Sequence, residues 1–122
     1  MNYSIFESRK DTVAGLQILL GAALFVAPWL LGFAQDATPA WTAWLTGAAV
    51  GLVGILNFAD DVTWPAWTNL LIGVWAVLAP WLLHFAAVEA AMWSHLVIGA
   101  AVAASSIWEL FGGENWTPRV SA

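Results

Sequence analysis

APWLLGF, at residues 27–33, returns almost unchanged as APWLLHF at residues 79–85. The same offset of 52 positions superposes other residues without a gap, among them Gly21 on Gly73, Trp41 on Trp93 and Gly47 on Gly99. An internal repeat at a fixed period indicates that one structural unit occurs twice. The sequence therefore predicts a duplicated fold, with repeat one at 13–58 and repeat two at 66–111.

Composition places both repeats in a lipid bilayer. The chain is 61% hydrophobic and 9% charged, too few ionic side chains to cover a soluble domain of 122 residues. Four apolar runs are long enough, at about 1.5 Å per residue, to cross a hydrocarbon core of about 30 Å. These runs are residues 13–33, 41–58, 66–86 and 90–111.

The predicted fold class is an all-α membrane protein in which four transmembrane helices form two tandem helical hairpins in one bundle. Because each repeat crosses the membrane twice, both copies enter it in the same orientation, and their pseudo-twofold axis should lie along the membrane normal. Residues 1–122 then form a single membrane domain, with a linker at 59–65 and a polar tail at 112–122.

A cleaved signal peptide is the competing interpretation of the first run, because Arg9-Lys10 precedes it. The run at 13–33 is longer than a usual signal-peptide core, and its second half is repeated at 79–85. A cleaved segment has no reason to share that motif. We therefore expect the first run to be retained as a transmembrane helix.

Charge and aromatic residues predict the orientation in the membrane. The net charge of −5, with three basic residues, excludes a basic patch for nucleic acid. Arg9, Lys10 and Arg119 all lie on the side shared by the two termini, so the positive-inside rule places both termini in the cytoplasm. Tryptophan favours membrane interfaces. The predicted outer belt is Trp29, Trp41, Trp44, Trp81 and Trp93, and the inner belt is Trp64, Trp67, Trp108 and Trp116, with Trp75 alone deep in the third run.

The Pro-Trp pairs, Pro28-Trp29 and Pro80-Trp81, predict a kink and an interface anchor near the end of the first and third helices. Proline removes one backbone donor and displaces the carbonyl four residues earlier, while the indole anchors that helix end. Two interpretations follow. The pairs only shape the bundle, or the carbonyls released at Leu24 and Ala76 bind an ion or substrate.

This element, together with the twofold repeat and the tryptophan that opens the following helix, resembles the SPW-repeat family of small prokaryotic integral membrane proteins. The resemblance covers nearly all of residues 14–110. Both copies depart from the motif, with Ala27 and Ala79 in place of its serine. The family implies a prokaryotic cytoplasmic (inner) membrane location and brings no activity that transfers to these positions.

Polar residues inside the runs are candidates for function, because burying them in hydrocarbon is costly unless they are paired. Gln17 and Asn69 are repeat mates, as are Asn57 and Glu109, and all four fall near the cytoplasmic ends of their helices. If they face inward, they form one pseudosymmetric polar ring. The alternatives are interhelical hydrogen bonds or exposure at the interface.

Small residues predict close helix packing. Gly47 and Gly51 form a GxxxG motif, and Gly99 and Ala103 are their repeat mates. Such spacing lets two helix backbones approach closely in lipid. We favour packing within the hairpin over a dimerisation seam.

Two histidines occur in the second repeat only, since His84 replaces Gly32 and His95 replaces Ala43. A short link joins their helices, so the two imidazoles could meet near the outer surface. The functional interpretations are a haem or chlorin ligand, a metal pair with Glu89, or a proton relay. The alternative is a pair of hydrogen-bonding interface residues.

The sequence favours a non-catalytic structural or accessory subunit that packs, within the lipid bilayer, into a larger membrane protein complex or a homo-oligomer. It contains no cysteine, no Gly-rich phosphate loop and no nucleophile elbow, and it is not expected to be an enzyme. One alternative is a haem- or chlorophyll-type cofactor subunit of an electron-transfer or light-harvesting complex that uses His84 and His95. Another is an oligomeric transporter or channel.

Overall fold

The structure is a computed structural model that describes residues 2–59 and 63–112, with side chains at 10–58 and 63–111. Every regular element in this part of the chain is helical, and it contains no strand, which confirms the all-α prediction. The elements are α1 (Asn2–Leu30), α2 (Ala37–Ala59), α3 (Trp64–Leu82), α4 (Glu89–Ile107) and a π-helical turn (Trp108–Gly112) that continues α4.

Four spans in these helices are long and apolar enough to cross a membrane, as predicted: Lys10–Leu30, Ala37–Phe58, Trp64–Leu82 and Glu89–Phe111. They contain 19 to 23 residues, and 19 helical residues already cover about 28 Å. Large apolar side chains point outward along them, including Leu19, Leu30 and Leu71, each more than two-thirds exposed. The chain is a multi-pass membrane protein whose apolar surface contacts lipid.

The helices begin earlier than the apolar runs do. α1 begins at Asn2 rather than at residue 13, because no proline or glycine interrupts the polar lead before Gly15. α2 begins at Ala37 rather than at residue 41, with Pro39 in its first turn, where a missing backbone N–H breaks no helical bond. The predicted linker residues 60–62 and tail residues 113–122, including Trp116 and Arg119, lie outside the described residues.

α1 ends at Leu30, three residues before the predicted boundary at residue 33, and the APWLLGF stretch determines the position of this end. The Phe33 N–H donates to the Pro28 carbonyl at 2.9 Å, across a residue, Gly32, with a φ of +83°. A bond that spans six residues around a left-handed residue is the Schellman helix cap, and glycine adopts that backbone conformation without steric strain. Phe33 is buried beneath the cap, so the motif both stops the helix and fastens its end to the core.

The second copy ends α3 in the same way. Phe85 N–H donates to the Pro80 carbonyl at 2.8 Å, and His84 occupies the left-handed position with a φ of +63°. Only two helical residues follow Pro28 in α1 and Pro80 in α3, so a bend at either proline moves the terminal turn rather than the span.

Close backbone contacts join α1 to α2. A Cβ added at Gly21 would lie 2.6 Å from both the Gly47 oxygen and the Gly51 nitrogen, and one added at Gly47 would lie 2.7 Å from the Phe25 nitrogen. Residue numbers rise in α1 as they fall in α2 along this contact, so the two helices are antiparallel. Gly47 and Gly51 thus lie on the α1 contact of their own chain.

The repeat-related contact joins α3 to α4. A Cβ at Gly73 would lie 2.7 Å from the Gly99 oxygen and the Ala103 nitrogen, and one at Gly99 would lie 2.8 Å from the Gly73 oxygen. Towards the capped ends of α1 and α3, the helices enclose an apolar core of mostly small side chains around two phenylalanines. It consists of Leu24, Ala27, Phe33, Ala43, Ala79, Phe85 and Ala91. The opposite half of the bundle contains buried polar side chains instead.

Candidate functional site

A buried polar layer lies across the half of the bundle away from the capped helix ends. Asn69 Nδ2 donates to Gln17 Oε1 at 2.7 Å, and Gln17 Nε2 donates to the hydroxyls of Ser105 at 3.0 Å and Ser106 at 2.9 Å. Gln17, Asn69 and Ser106 have no exposed surface. One amide therefore connects α1, α3 and α4.

A second layer lies about one helical turn further along, where the π-helical turn continues α4. Lys10 Nζ donates to the backbone oxygen of Asn57 at 2.7 Å, and Asn57 Nδ2 donates to Glu109 Oε1 at 2.7 Å. Lys10 is 4% exposed and Glu109 is 3% exposed, so neither side chain extends to the head groups. Glu109 belongs to the π-helical turn, a rare element that often occurs at functional sites.

Each layer contains a hydrogen bond between repeat mates. Gln17 pairs with Asn69 and Asn57 pairs with Glu109, in both cases across 52 residues of chain. Two residues related by a twofold axis can touch only near that axis. The four predicted polar residues thus face inward as two bonded pairs rather than as a single closed ring.

Sequence reasoning missed three members of these layers, Lys10, Ser105 and Ser106. Their positions carried a signal, because Lys10 precedes Gln17 by seven residues and Ser105 precedes Glu109 by four, which puts each on the same helix face as a known candidate. A lysine at the edge of an apolar run has the sequence pattern of an interfacial charge, which predicts orientation but not burial.

The layers are rich in acceptors. Within the described residues, Asn57 Oδ1 and Asn69 Oδ1 are buried and have no hydrogen-bond partner. Asn57 also connects two charged side-chain types, since its backbone oxygen accepts from Lys10 and its side-chain amide donates to Glu109. These bonds join α1 and the π-helical turn to α2.

The two histidines lie in opposite environments. His95 has no exposed surface, its Nδ1 is 2.8 Å from the Ala91 oxygen, and its ring centre is 5.0 Å from that of Phe85. Because the carbonyl accepts the Nδ1 proton, Nε2 is left as an acceptor, and it has no partner in the described part of the chain. His84 is exposed and caps α3.

These environments bear on the cofactor interpretations. A planar macrocycle needs open space beside its ligand nitrogen, but His95 is packed against Phe85 with no exposed surface. Among residues 10–58 and 63–111, no three His, Asp or Glu side chains gather closely enough to hold a metal ion. His95 Nε2 remains the one histidine atom inside the bundle that is placed to bind a further group.

Aromatic side chains gather at both ends of the bundle. At the capped end, Trp44 packs between Trp29 and Trp41 with ring centres 5.2 Å apart in each case, tilted by 31° against Trp29 and edge to face with Trp41. At the other end, the rings of Trp67 and Phe111 meet edge to face at 5.8 Å. The anchors Trp29 and Trp81 are more than half exposed, whereas Pro28 and Pro80 are fully buried. Leu24 and Ala76, which precede these prolines by four residues, are also buried, so their carbonyls face packed protein.

Grooves open on the lipid-facing surface of the described residues. One of about 540 Å³ lies between α2 and α3. Two others, of about 360 and 270 Å³, adjoin each other on the outer face of α1 and α2 and share Phe25 and Ala48.

Comparison with curated proteins gives no match, and comparison with solved structures gives none either. The twofold helical repeat with its Pro-Trp caps does match a family model. The SPW repeat domain covers residues 11–109, which is most of the chain, and this protein belongs to that family.

Proposed function

We propose that this protein is a non-catalytic structural or accessory subunit that packs into a larger membrane protein complex or with copies of itself. The observation that carries the proposal is the pair of adjoining grooves on the outer α1–α2 face. A neighbouring transmembrane helix could contact small residues at the base of these grooves, called the floor below, and aromatic residues along their edge, called the rim.

The floor of the face consists of small residues. Gly47, Gly51 and Ala22 line the 270 Å³ groove, and Ala48 lines both grooves. Small residues let a second helix approach closely, and in lipid such van der Waals contact is a main source of helix association. The rim of the 360 Å³ groove is aromatic and supplies large rigid contacts: Phe25, Trp29, Trp41 and Trp44.

The polar residues support a structural role over transport or catalysis. Gln17 and Asn69 bond to each other, and so do Asn57 and Glu109, across the interior of the bundle. Groups that hold helices together in this way fill the space that a transport pathway through one chain needs. Flux into proteoliposomes that is abolished by Glu109→Gln would favour the transporter alternative instead.

We further propose a prokaryotic cytoplasmic membrane with both termini in the cytoplasm. The support is the resemblance to a family of small prokaryotic membrane proteins and the order of the sequence, in which all three basic residues precede the first apolar run or follow the last. A fluorescent protein fused to the C-terminus should fold and fluoresce, whereas a phosphatase that is active only outside the cytoplasm should stay inactive there. The opposite pair of signals would reverse the orientation.

The subunit proposal is tested by native mass spectrometry of the protein extracted from its own membrane in polymer-bounded discs. We expect other membrane proteins, or a fixed number of copies, to co-migrate with it. Ala48→Trp should fill both α1–α2 grooves and release these partners. Its matched control is Ala100→Trp on the repeat-related face of α4, which is also exposed and should leave the assembly intact.

A wild-type protein that runs as a monodisperse monomer would contradict this proposal. Equal loss of partners in the two tryptophan variants would show that the α1–α2 face is not the contact.

A haem- or chlorin-binding subunit is the second candidate, because His95 Nε2 has no partner among the described residues. Since the His95 ring is packed against Phe85 with no exposed surface, a macrocycle could reach this nitrogen only if that contact opens. The purified protein would then show a visible absorption band that His95→Ala removes. Since His84 is exposed at a helix cap, His84→Ala should leave the band in place. Absence of any band in protein from its native membrane would exclude this function.

A further inference from the structure

We propose that the groove between α2 and α3 binds a membrane quinone, that is, a carbonyl-bearing ring on an apolar tail. The groove has a volume of about 540 Å³, within the range of small-molecule sites, and it opens towards lipid. It lies between α2 and α3 rather than between α1 and α2, and Trp41 and Leu45 of α2 line both this groove and the 360 Å³ groove of the proposed subunit contact. Quinone binding here does not require a partner on the α1–α2 face.

The first argument is the asymmetry between the repeats. The residues on this groove are larger or more polar than their repeat mates at three positions: Thr38 for Ala90, Thr46 for Ile98 and Trp75 for Ala23. Packing of a duplicated bundle alone would favour equal residues on both sides. At these three positions, the α2–α3 side carries a hydroxyl or an indole that its repeat mate lacks, whereas Trp41 and Thr42 have an indole and a hydroxyl in their mates Trp93 and Ser94.

The second argument is that two of these groups have no hydrogen-bond partner among the described residues. Hydroxyls in membrane helices usually bond to the carbonyl four residues earlier, as Thr42 does with Thr38 at 2.7 Å. Thr46 lines the same groove, is only 6% exposed, and makes no such bond within the described residues. The indole N–H of Trp75, which is 39% exposed, also lacks a partner there. An unpaired donor in hydrocarbon is costly.

Depth selects the class of ligand. Thr46 lies nine residues into α2 and Trp75 lies seven residues before the end of α3, so their Cα atoms are about 10 to 13 Å from the helix ends. The ester carbonyls of a diacyl lipid stay at the interface, and its acyl chains have no acceptor at this depth. A quinone ring carries two carbonyl acceptors on an otherwise apolar body and can enter the hydrocarbon region.

The walls of the groove suit a flat ring. Trp41 and Trp75 line it from neighbouring helices, and indole faces stack on planar rings. Leu45 and Leu83 supply the apolar surface for the tail. The Thr46 hydroxyl and the Trp75 indole N–H would donate to the ring carbonyls.

The test measures the binding of a short-tailed benzoquinone and a short-tailed naphthoquinone to the full chain in lipid nanodiscs. Quenching of tryptophan fluorescence is the signal that reports binding. We expect saturable quenching. Thr46→Val should raise the dissociation constant about 2- to 10-fold, the effect of one neutral hydrogen bond. Thr42→Val is the matched control, because it changes the same groove by the same atoms but removes a hydroxyl that already has a partner.

Trp75→Phe should weaken binding as Thr46→Val does, and native mass spectrometry should detect the quinone as a bound mass that both variants reduce. Quenching that rises linearly without saturation would overturn the proposal. It would also be overturned by a phospholipid that stays bound in the groove and is not displaced by quinone, or by equal effects of Thr46→Val and Thr42→Val.

Discussion

His84 occupies a backbone position that suits glycine. Its φ of +63° is the left-handed region, where a side chain other than glycine costs roughly 1–2 kcal/mol, and its repeat mate is Gly32 at +83°. We predict that His84→Gly stabilises the protein by about 0.5–1 kcal/mol, the steric relief less the greater chain entropy of glycine in the unfolded state. Unfolding in mixed detergent micelles measures the change.

The reverse substitution provides the control for that prediction. Gly32→Ala places a Cβ in the same left-handed position and should destabilise the protein by about 0.5–1 kcal/mol, the steric cost less the entropy that alanine removes from the unfolded chain, although no described atom lies within 4 Å of the added Cβ. If His84→Gly proved destabilising, the imidazole would have a role that outweighs the backbone strain.

Asn57 joins the two buried charges of the second polar layer. We predict that Asn57→Leu lowers the free energy of unfolding by about 1–3 kcal/mol, because it removes an amide donor from the buried Glu109 carboxylate. Glu109→Gln should have a smaller effect, since its Oε1 still accepts from Asn57. A greater loss of stability in Glu109→Gln, measured by the same unfolding method, would mean that the carboxylate's charge is what this layer requires.

At the scale of the helix pair, the contact between α1 and α2 depends on which glycines face it. We predict that Gly47→Ala destabilises the protein by about 1–3 kcal/mol, because the new methyl group meets backbone atoms of Gly21 and Phe25 that cannot rotate away. Gly51→Ala is the control. Its added Cβ meets nothing within 4 Å, so helix propensity makes it neutral or slightly stabilising. Equal loss of stability in the two variants would contradict this backbone contact.

Gly47 and Gly51 show how far the sequence could predict the packing and the boundaries of the helices. The GxxxG spacing indicated close packing, but the motif treats Gly47 and Gly51 alike, and only the helix rotation distinguishes them. Hydrophobic length predicted four spans, yet α1 ends at Leu30 because Gly32 turns left-handed, a backbone property that hydropathy does not register. The sequence does not single out Ser105 and Ser106, because hydroxyls are common in membrane helices. Their role in the polar layer depends on hydrogen bonds from Gln17 on another helix.

The whole molecule is a duplication whose halves differ in the buried charges they contribute. Lys10 belongs to the first half and Glu109 belongs to the second. The hydrogen bonds between the halves include Gln17–Asn69 and Asn57–Glu109. We therefore predict that fragments 1–61 and 62–122, expressed together with different tags, co-purify as a one-to-one complex. Substituting leucine for both Gln17 and Asn69 should weaken that complex.

Self-association of the fragments tests why the halves differ. Pairing across a twofold axis would bring two Asn57 amides together in a dimer of fragment 1–61, and amides can bond to each other. In a dimer of fragment 62–122, the same twofold pairing would bring two Glu109 carboxylates together. Repulsion between two buried like charges would disfavour that dimer. We expect fragment 62–122 to dimerise poorly, and Glu109→Gln to let it dimerise, as measured by native mass spectrometry. A wild-type fragment 62–122 that dimerises as readily as it binds fragment 1–61 would show that this carboxylate does not direct the pairing of the halves.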